Sequence, residues 1–144
     1  MPATYVLETN YNTVISTVKK GLLFLPSLCI AIAILVVSLI QTPDELSLPS
    51  FVGWDKVAHA VMYLALAVTL LHDLWKSGIN NIKSIPITFL FCPFYGAMIE
   101  WLQAVFTQSR SADVWDWVAD CIGTLVGIII AYIIWRNRMK ETTC

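Results

Sequence analysis

The sequence predicts an all-α integral membrane protein: four transmembrane helices in an antiparallel bundle, with both termini in the cytoplasm. Composition points there first, because 58% of the 144 residues are hydrophobic and only 13% are charged, far from the balance of a water-soluble domain. Four apolar stretches approach the roughly 20 helical residues needed to cross about 30 Å of hydrocarbon: approximately Gly21 to Ile40, Val57 to Trp75, Ile85 to Phe106 and Val114 to Trp135. Strands are excluded, because a four-strand barrel is too small to close in lipid. Orientation comes from the basic residues, since Lys and Arg in short loops stay cytoplasmic. Lys19, Lys20, Lys76, Lys83, Arg136, Arg138 and Lys140 fall on the side of the termini and the middle loop, against Lys56 and Arg110 on the other.

In chain order, residues 1–20 read as a cytoplasmic segment. Leu7, Tyr11, Val14, Ile15 and Val18 recur at helical spacing there, as in a short helix lying on the membrane surface. The first apolar stretch is read as a retained span; it is long for a signal core, and "SLIQTPDE" behind it lacks a small-x-small cleavage site. An irregular outer loop, "TPDELSLPSFVG", leads to the second span. The middle loop "KSGINNIKS" is a turn with Gly78, Asn80 and Asn81, and the short "TQSRSAD" makes spans three and four antiparallel neighbours. Residues 21–135 thus form one transmembrane domain and 136–144 a basic cytoplasmic tail. All six tryptophans stand near span ends, Trp54, Trp101, Trp115 and Trp117 outside, Trp75 and Trp135 inside, as an aromatic belt requires.

Most acidic residues lie opposite the basic ones: Asp44, Glu45, Asp55, Glu100, Asp113, Asp116 and Asp120 belong to the outer half, and only Glu8, Asp73 and Glu141 to the inner. His59, Glu100 and Asp120 each fall five or six residues inside the outer end of a different helix, which at about 1.5 Å per residue puts them at one depth, roughly 8 to 9 Å in. An ionisable group at the bilayer centre costs about 2.5–3.5 kcal/mol on insertion scales, so these three are expected to face one another. Periodicity agrees. Asp55, His59 and Tyr63 share one face of the second helix, Gly96, Glu100 and Gln103 one face of the third, and Asp113, Asp116, Asp120, Gly123 and Gly127 one face of the fourth.

Each feature also has an ordinary structural explanation. Gly123 and Gly127 make a small-x-x-x-small packing seam, and Asp113 and Asp116 are well placed to cap a helix N-terminus. A buried polar network can also serve only to fix how the helices pair. His72 and Asp73 read as solvated interface residues, and the inner half of every span as almost purely apolar. Cys29, Cys92, Cys121 and Cys144 are scattered without C-x-x-C spacing, so they suggest neither a disulfide framework nor a thiolate metal site. A net charge of −1 gives no sign of a nucleic-acid partner.

The segments "DKVAHAVMY", "EWLQ" and "RSADVWDWVADCIGTLVG" together resemble the VanZ-like family of small bacterial membrane proteins, over about residues 54 to 127. The resemblance carries that family's polar signature onto Asp55, Lys56, His59, Tyr63, Glu100, Gln103, Arg110, Asp113, Asp116 and Gly123. Asp120 departs from it, standing where the family usually has Asn and adding a carboxylate. The family is named for a member associated with resistance to the glycopeptide teicoplanin. The resemblance therefore implies a multi-pass protein of the bacterial cytoplasmic membrane, working at the cell envelope.

Two classes of function fit these residues. In the first, an enzyme acts on an amphiphile of the outer leaflet, such as a lipid-linked peptidoglycan precursor. Of the crowded carboxylates Glu100, Asp116 and Asp120, one serves as general acid while a neighbour stays ionised. His59 relays a proton, oriented by Asp55. Lys56 and Arg110 hold a phosphate or carboxylate head group, with Tyr63, Gln103 and Asp113 lining the ligand. Neither G-x-S-x-G nor H-E-x-x-H is present, so no nucleophile is identified. In the second class, a protein binds or masks such a ligand without converting it. No cofactor is indicated and no metal ligand is assigned; His59 with several carboxylates admits a divalent cation, but without diagnostic spacing. A proton-coupled transporter ranks third, because no ionisable chain reaches the cytoplasmic side.

Overall fold

A computed structural model describes residues 17–19, 21–40, 53–106 and 113–141, with side chains as far as residue 137. The described residues are helical with no strand. Four helices follow one another: α1, Leu25–Leu39; α2, Trp54–Lys76; α3, Asn81–Phe106; and α4, Val114–Glu141. The stretch of residues 1–16 read as an interfacial helix, the outer loop, Lys20 and Arg110 lie outside the described residues.

Three of the helices, α2, α3 and α4, are each long and apolar enough to cross a membrane. The first expected span differs from the expectation. α1 has only 15 residues and reaches spanning length only together with the short helix Thr17–Leu23, from which it is bent by 49°. Pro26, in the first turn of α1, is the physical reason: it has no N–H to give the carbonyl of Leu22, and its ring crowds the preceding turn.

The α2–α3 connection is built as its sequence suggests. Gly78 has φ 89°, the left-handed conformation that a side chain resists. Its N–H bonds to the Trp75 carbonyl (3.0 Å) while Ile79 N–H reaches back to Leu74 (3.1 Å), closing the C-terminus of α2. Asn80 then caps α3, its Oδ1 accepting from Lys83 N–H at 3.2 Å. Ile79 packs against the core cluster, which fixes the angle at which the chain turns.

Helix α2 is the hub, contacting α1, α3 and α4. Its closest partner is α4, where Gly123 and Gly127 lie against the backbone of Ala60 and Leu64; absent side chains let two helices approach at van der Waals distance, where dispersion is strongest. The core between helices is Tyr63, Leu66, Ala67, Leu70 and Leu71 of α2 with Ile34, Cys92, Ile128 and Ala131. Large apolar side chains such as Leu90, Phe94, Ile129 and Ile133 point outward and exposed, a surface suited to lipid and not to water.

Two expectations about the inner half are corrected. Asp73 is not solvated: it is fully buried, and its Oδ2 accepts from the Ser27 N–H at 3.1 Å. The first turn of α1 has no cap from its own side chains, so a carboxylate from α2 meets its free N–H groups and positive dipole end. Nor is the inner half purely apolar. Ser84, Thr88 and Cys92 of α3 are fully buried and continue the Gly96, Glu100 and Gln103 stripe by whole turns. His72, half-exposed, stays at the surface as expected.

Candidate functional site

The expected polar residues of three helices meet at one end of the bundle. Lys56, in the first turn of α2, sends its ammonium between Asp113 and Asp116, 3.0 Å from an oxygen of each. Asp113 does two things at once. One of its oxygens takes Lys56 and the other accepts the Trp115 N–H at 2.9 Å, capping α4 as one structural explanation expected. That backbone bond first, and Lys56 second, hold its carboxyl below the usual carboxylate range.

One turn deeper, His59 is buried and its Nδ1 donates to Asp120 Oδ1 at 3.0 Å. Glu100 closes the third side. Its Oε2 accepts the Asp113 N–H at 3.1 Å, and its Oε1 lies 4.0 Å from His59 Nδ1. Gly96, one turn along α3, makes room for this: a Cβ there would stand 2.5 Å from Asp120 Oδ2. The glycine of α3 and the acid of α4 are therefore one steric unit.

Among the described residues, three buried polar atoms around this centre have no hydrogen-bond partner: Glu100 Oε1, Asp120 Oδ2 and Tyr63 Oη. Buried polar groups are nearly always satisfied, and leaving one bare costs about 1–3 kcal/mol. Five carboxylates, Asp55, Glu100, Asp113, Asp116 and Asp120, surround two basic side chains, Lys56 and His59, among the described residues. Cavities approach the centre from two sides. One of about 210 Å³ between α1 and α2 is lined by Val37, Ser38, Ile40, Asp55, Ala58, His59 and Met62. Another, of about 270 Å³ between α3 and α4, is lined by Glu100, Asp113 and Trp117 among others. A third, of about 260 Å³, lies at the opposite end with His72 and Trp75 in its wall.

Not every expected site residue joins the cluster. Gln103 is buried, but its Nε2 donates to the Ser38 carbonyl at 2.9 Å, tying α3 to α1. Tyr63 lies a turn below His59, fully buried. Asp55 is exposed at the rim and belongs to the cluster through His59 and Asp116. Arg110 lies outside the described residues. The reading of the sequence did not find Ser38 as part of the wall of the His59 cavity. Its trace was the spacing Ser27, Ile34, Ser38, seven and four residues apart, which marks the buried face of α1.

These features define a class: a multi-helix membrane protein with a carboxylate-rich, histidine-centred cluster sunk into one end. A family model described as VanZ/LLP1 matches residues 2–135, and the chain belongs to that family. No curated protein and no solved structure matches the chain.

Proposed function

We propose that the protein spans the bacterial cytoplasmic membrane with its helices in antiparallel order and both termini in the cytoplasm. The cluster then opens toward the outer leaflet, where it acts on or binds a lipid-linked cell-envelope ligand and contributes to glycopeptide (teicoplanin) resistance. The contact order supports the topology: Ser27 meets Asp73 and Trp75 meets Ser84, whereas Lys56 and His59 meet Asp116 and Asp120 in step. The excess of Lys and Arg at the other end supports the orientation.

The observation that carries the reading is the pair Glu100 Oε1 and Asp120 Oδ2 beside His59, neither with a hydrogen-bond partner among the described residues. An oxygen held bare beside an imidazole is placed to take or give a proton on a ligand entering through a lateral cavity. Lys56 is already held by two carboxylates, so its role is to shape the mouth, and Arg110 is the cation assigned to the head group. Expression of the wild type, Glu100→Gln and His59→Ala, followed by mass spectrometry of extracted lipids, tests the reading. A changed head group with the wild type only, with teicoplanin susceptibility rising in both variants, is the expected result. Unchanged lipids in all three strains overturn catalysis; unchanged susceptibility as well overturns the site.

A purely structural role is favoured for a different set of residues. Gln103, Tyr95 and Asp73 each bond to the backbone of α1, at Ser38, Ala31 and Ser27, and hold that helix against α2 and α3.

A further inference from the structure

We propose that Asp55, His59 and Asp116 form a binding site for a divalent cation of the first transition row. One donor atom from each of the three lies within 4.8 Å of the others. Metal–oxygen and metal–nitrogen bonds are about 2.0–2.2 Å, so modest side-chain rotations bring the set onto one ion. An imidazole with two carboxylates suits Zn²⁺ or Mn²⁺ and leaves coordination positions open for an oxygen of a further ligand.

Carboxylates gathered at a helix end do not by themselves make a site, and two further features point to a cation. The His59 ring is held from behind: Nδ1 donates to Asp120 Oδ1 at 3.0 Å, which leaves the Nε2 lone pair free and reproduces the carboxylate–histidine–metal arrangement that fixes a ligand's tautomer. Glu100, only 6% exposed, keeps a second bare oxygen on the Nδ1 edge of the same ring, 4.0 Å from Nδ1 and behind the nitrogen offered to the ion. Bare buried carboxylate oxygens in a cluster with surplus negative charge are stabilised by positive charge close by, and Lys56 does not supply it to them, being held at the rim by Asp113 and Asp116. A bound dication would also give this acidic pocket the charge needed to meet a phosphate or carboxylate head group.

The inference rests on the same cluster as the proposed acid–base site, so its test uses metal alone. Full-length protein in detergent, stripped with a chelator, is titrated with Mn²⁺ followed by electron paramagnetic resonance and with Zn²⁺ followed by calorimetry. One ion per chain is expected. Asp55→Asn and His59→Ala should each weaken binding at least about tenfold, and Asp120→Asn about 10- to 100-fold through the loss of orientation. Lys56→Met should tighten binding by removing a like charge, and His72→Ala, at the opposite end, should leave it unchanged. Asp55 is exposed, so its variant stays folded and decides the matter if the His59 variant does not. Absence of saturable binding to the wild type, or binding indifferent to Asp55→Asn and His59→Ala, overturns the cation site. A lipid change that depends on Glu100 without metal binding would overturn this inference and keep the acid–base reading; metal binding with unchanged lipids would do the opposite.

Discussion

Asp73 and Asp120 are both fully buried carboxylates, and their surroundings separate structure from chemistry. Asp73 receives the Ser27 N–H and sits 3.4 Å from His72 Nδ1, so it is occupied as an interhelix cap. Replacing it with Ala leaves a buried N–H without an acceptor and should cost about 1–3 kcal/mol, read as a lower midpoint in denaturant unfolding, while any activity of the distant cluster in the folded fraction is unchanged. Asp120 keeps one oxygen bare. Asp113 gives a pH-dependent counterpart. Its carboxyl is held below the usual range, so its contribution to stability is complete above the unfolded aspartate value of about 4 and is lost as pH falls through its lower folded value. Unfolding curves of wild type and Asp113→Asn should therefore differ at pH 6 to 7, the gap narrowing as pH is taken below the unfolded aspartate value of about 4; a gap independent of pH would refute the assignment. The sequence shows how far each acid lies from a helix end, enough to group Glu100 and Asp120. It does not show which neighbouring helix end covers a side chain, so Asp73 was legible only as an interface residue.

The element that governs site geometry is the α2–α4 seam. A Cβ at Gly123 would run into the Ala60 carbonyl, whereas one at Gly127 would meet the Leu64 carbonyl at 2.7 Å and the Ala67 Cβ at 3.0 Å. Both clashes are with backbone or short side chains, which cannot swing away, and overpacking of this kind costs about 1–3 kcal/mol. Gly123→Ala should destabilise more than Gly127→Ala by thermal unfolding in detergent. Gly123 lies one turn from Asp120, so its variant should also weaken the His59–Asp120 contact, visible as a shifted imidazole proton resonance. Equal effects at the two glycines would contradict the seam as described. The acidic stripe running into G-x-x-x-G made this face readable in advance, because the same period carried both polar and small residues. The break in the first span was harder to read. A hydropathy window runs straight across Phe24 to Pro26, although a proline at that position leaves a carbonyl of the preceding turn without its donor.

At the scale of the whole molecule the surface differs from that of a water-soluble bundle: large apolar side chains face outward, while His59, Asp73, Glu100, Gln103, Asp116 and Asp120 are inside beside the apolar core. In lipid the hydrophobic effect does not hold such helices together, so packing seams and polar contacts must. This places the cluster in both roles, as part of what joins α2, α3 and α4 and as the region with unmet polar atoms. Which face of the membrane it opens to then decides what it can meet. Lys76 and Lys83 flank the α2–α3 turn, and Arg136 lies at the same end of α4; the proposed orientation, which follows the rule that basic loops stay inside, has that end in the cytoplasm and the cluster outside. In a variant without its native cysteines, a cysteine at Val114, exposed in the first turn of α4, should react with a membrane-impermeant maleimide on intact cells. A cysteine at Asn80, exposed in the α2–α3 turn, should react only after the membrane is opened. The reverse pattern would turn the cluster toward the cytoplasm, where an outer-leaflet ligand does not reach it, and the cell-envelope reading would fall while the geometry of the cluster stood.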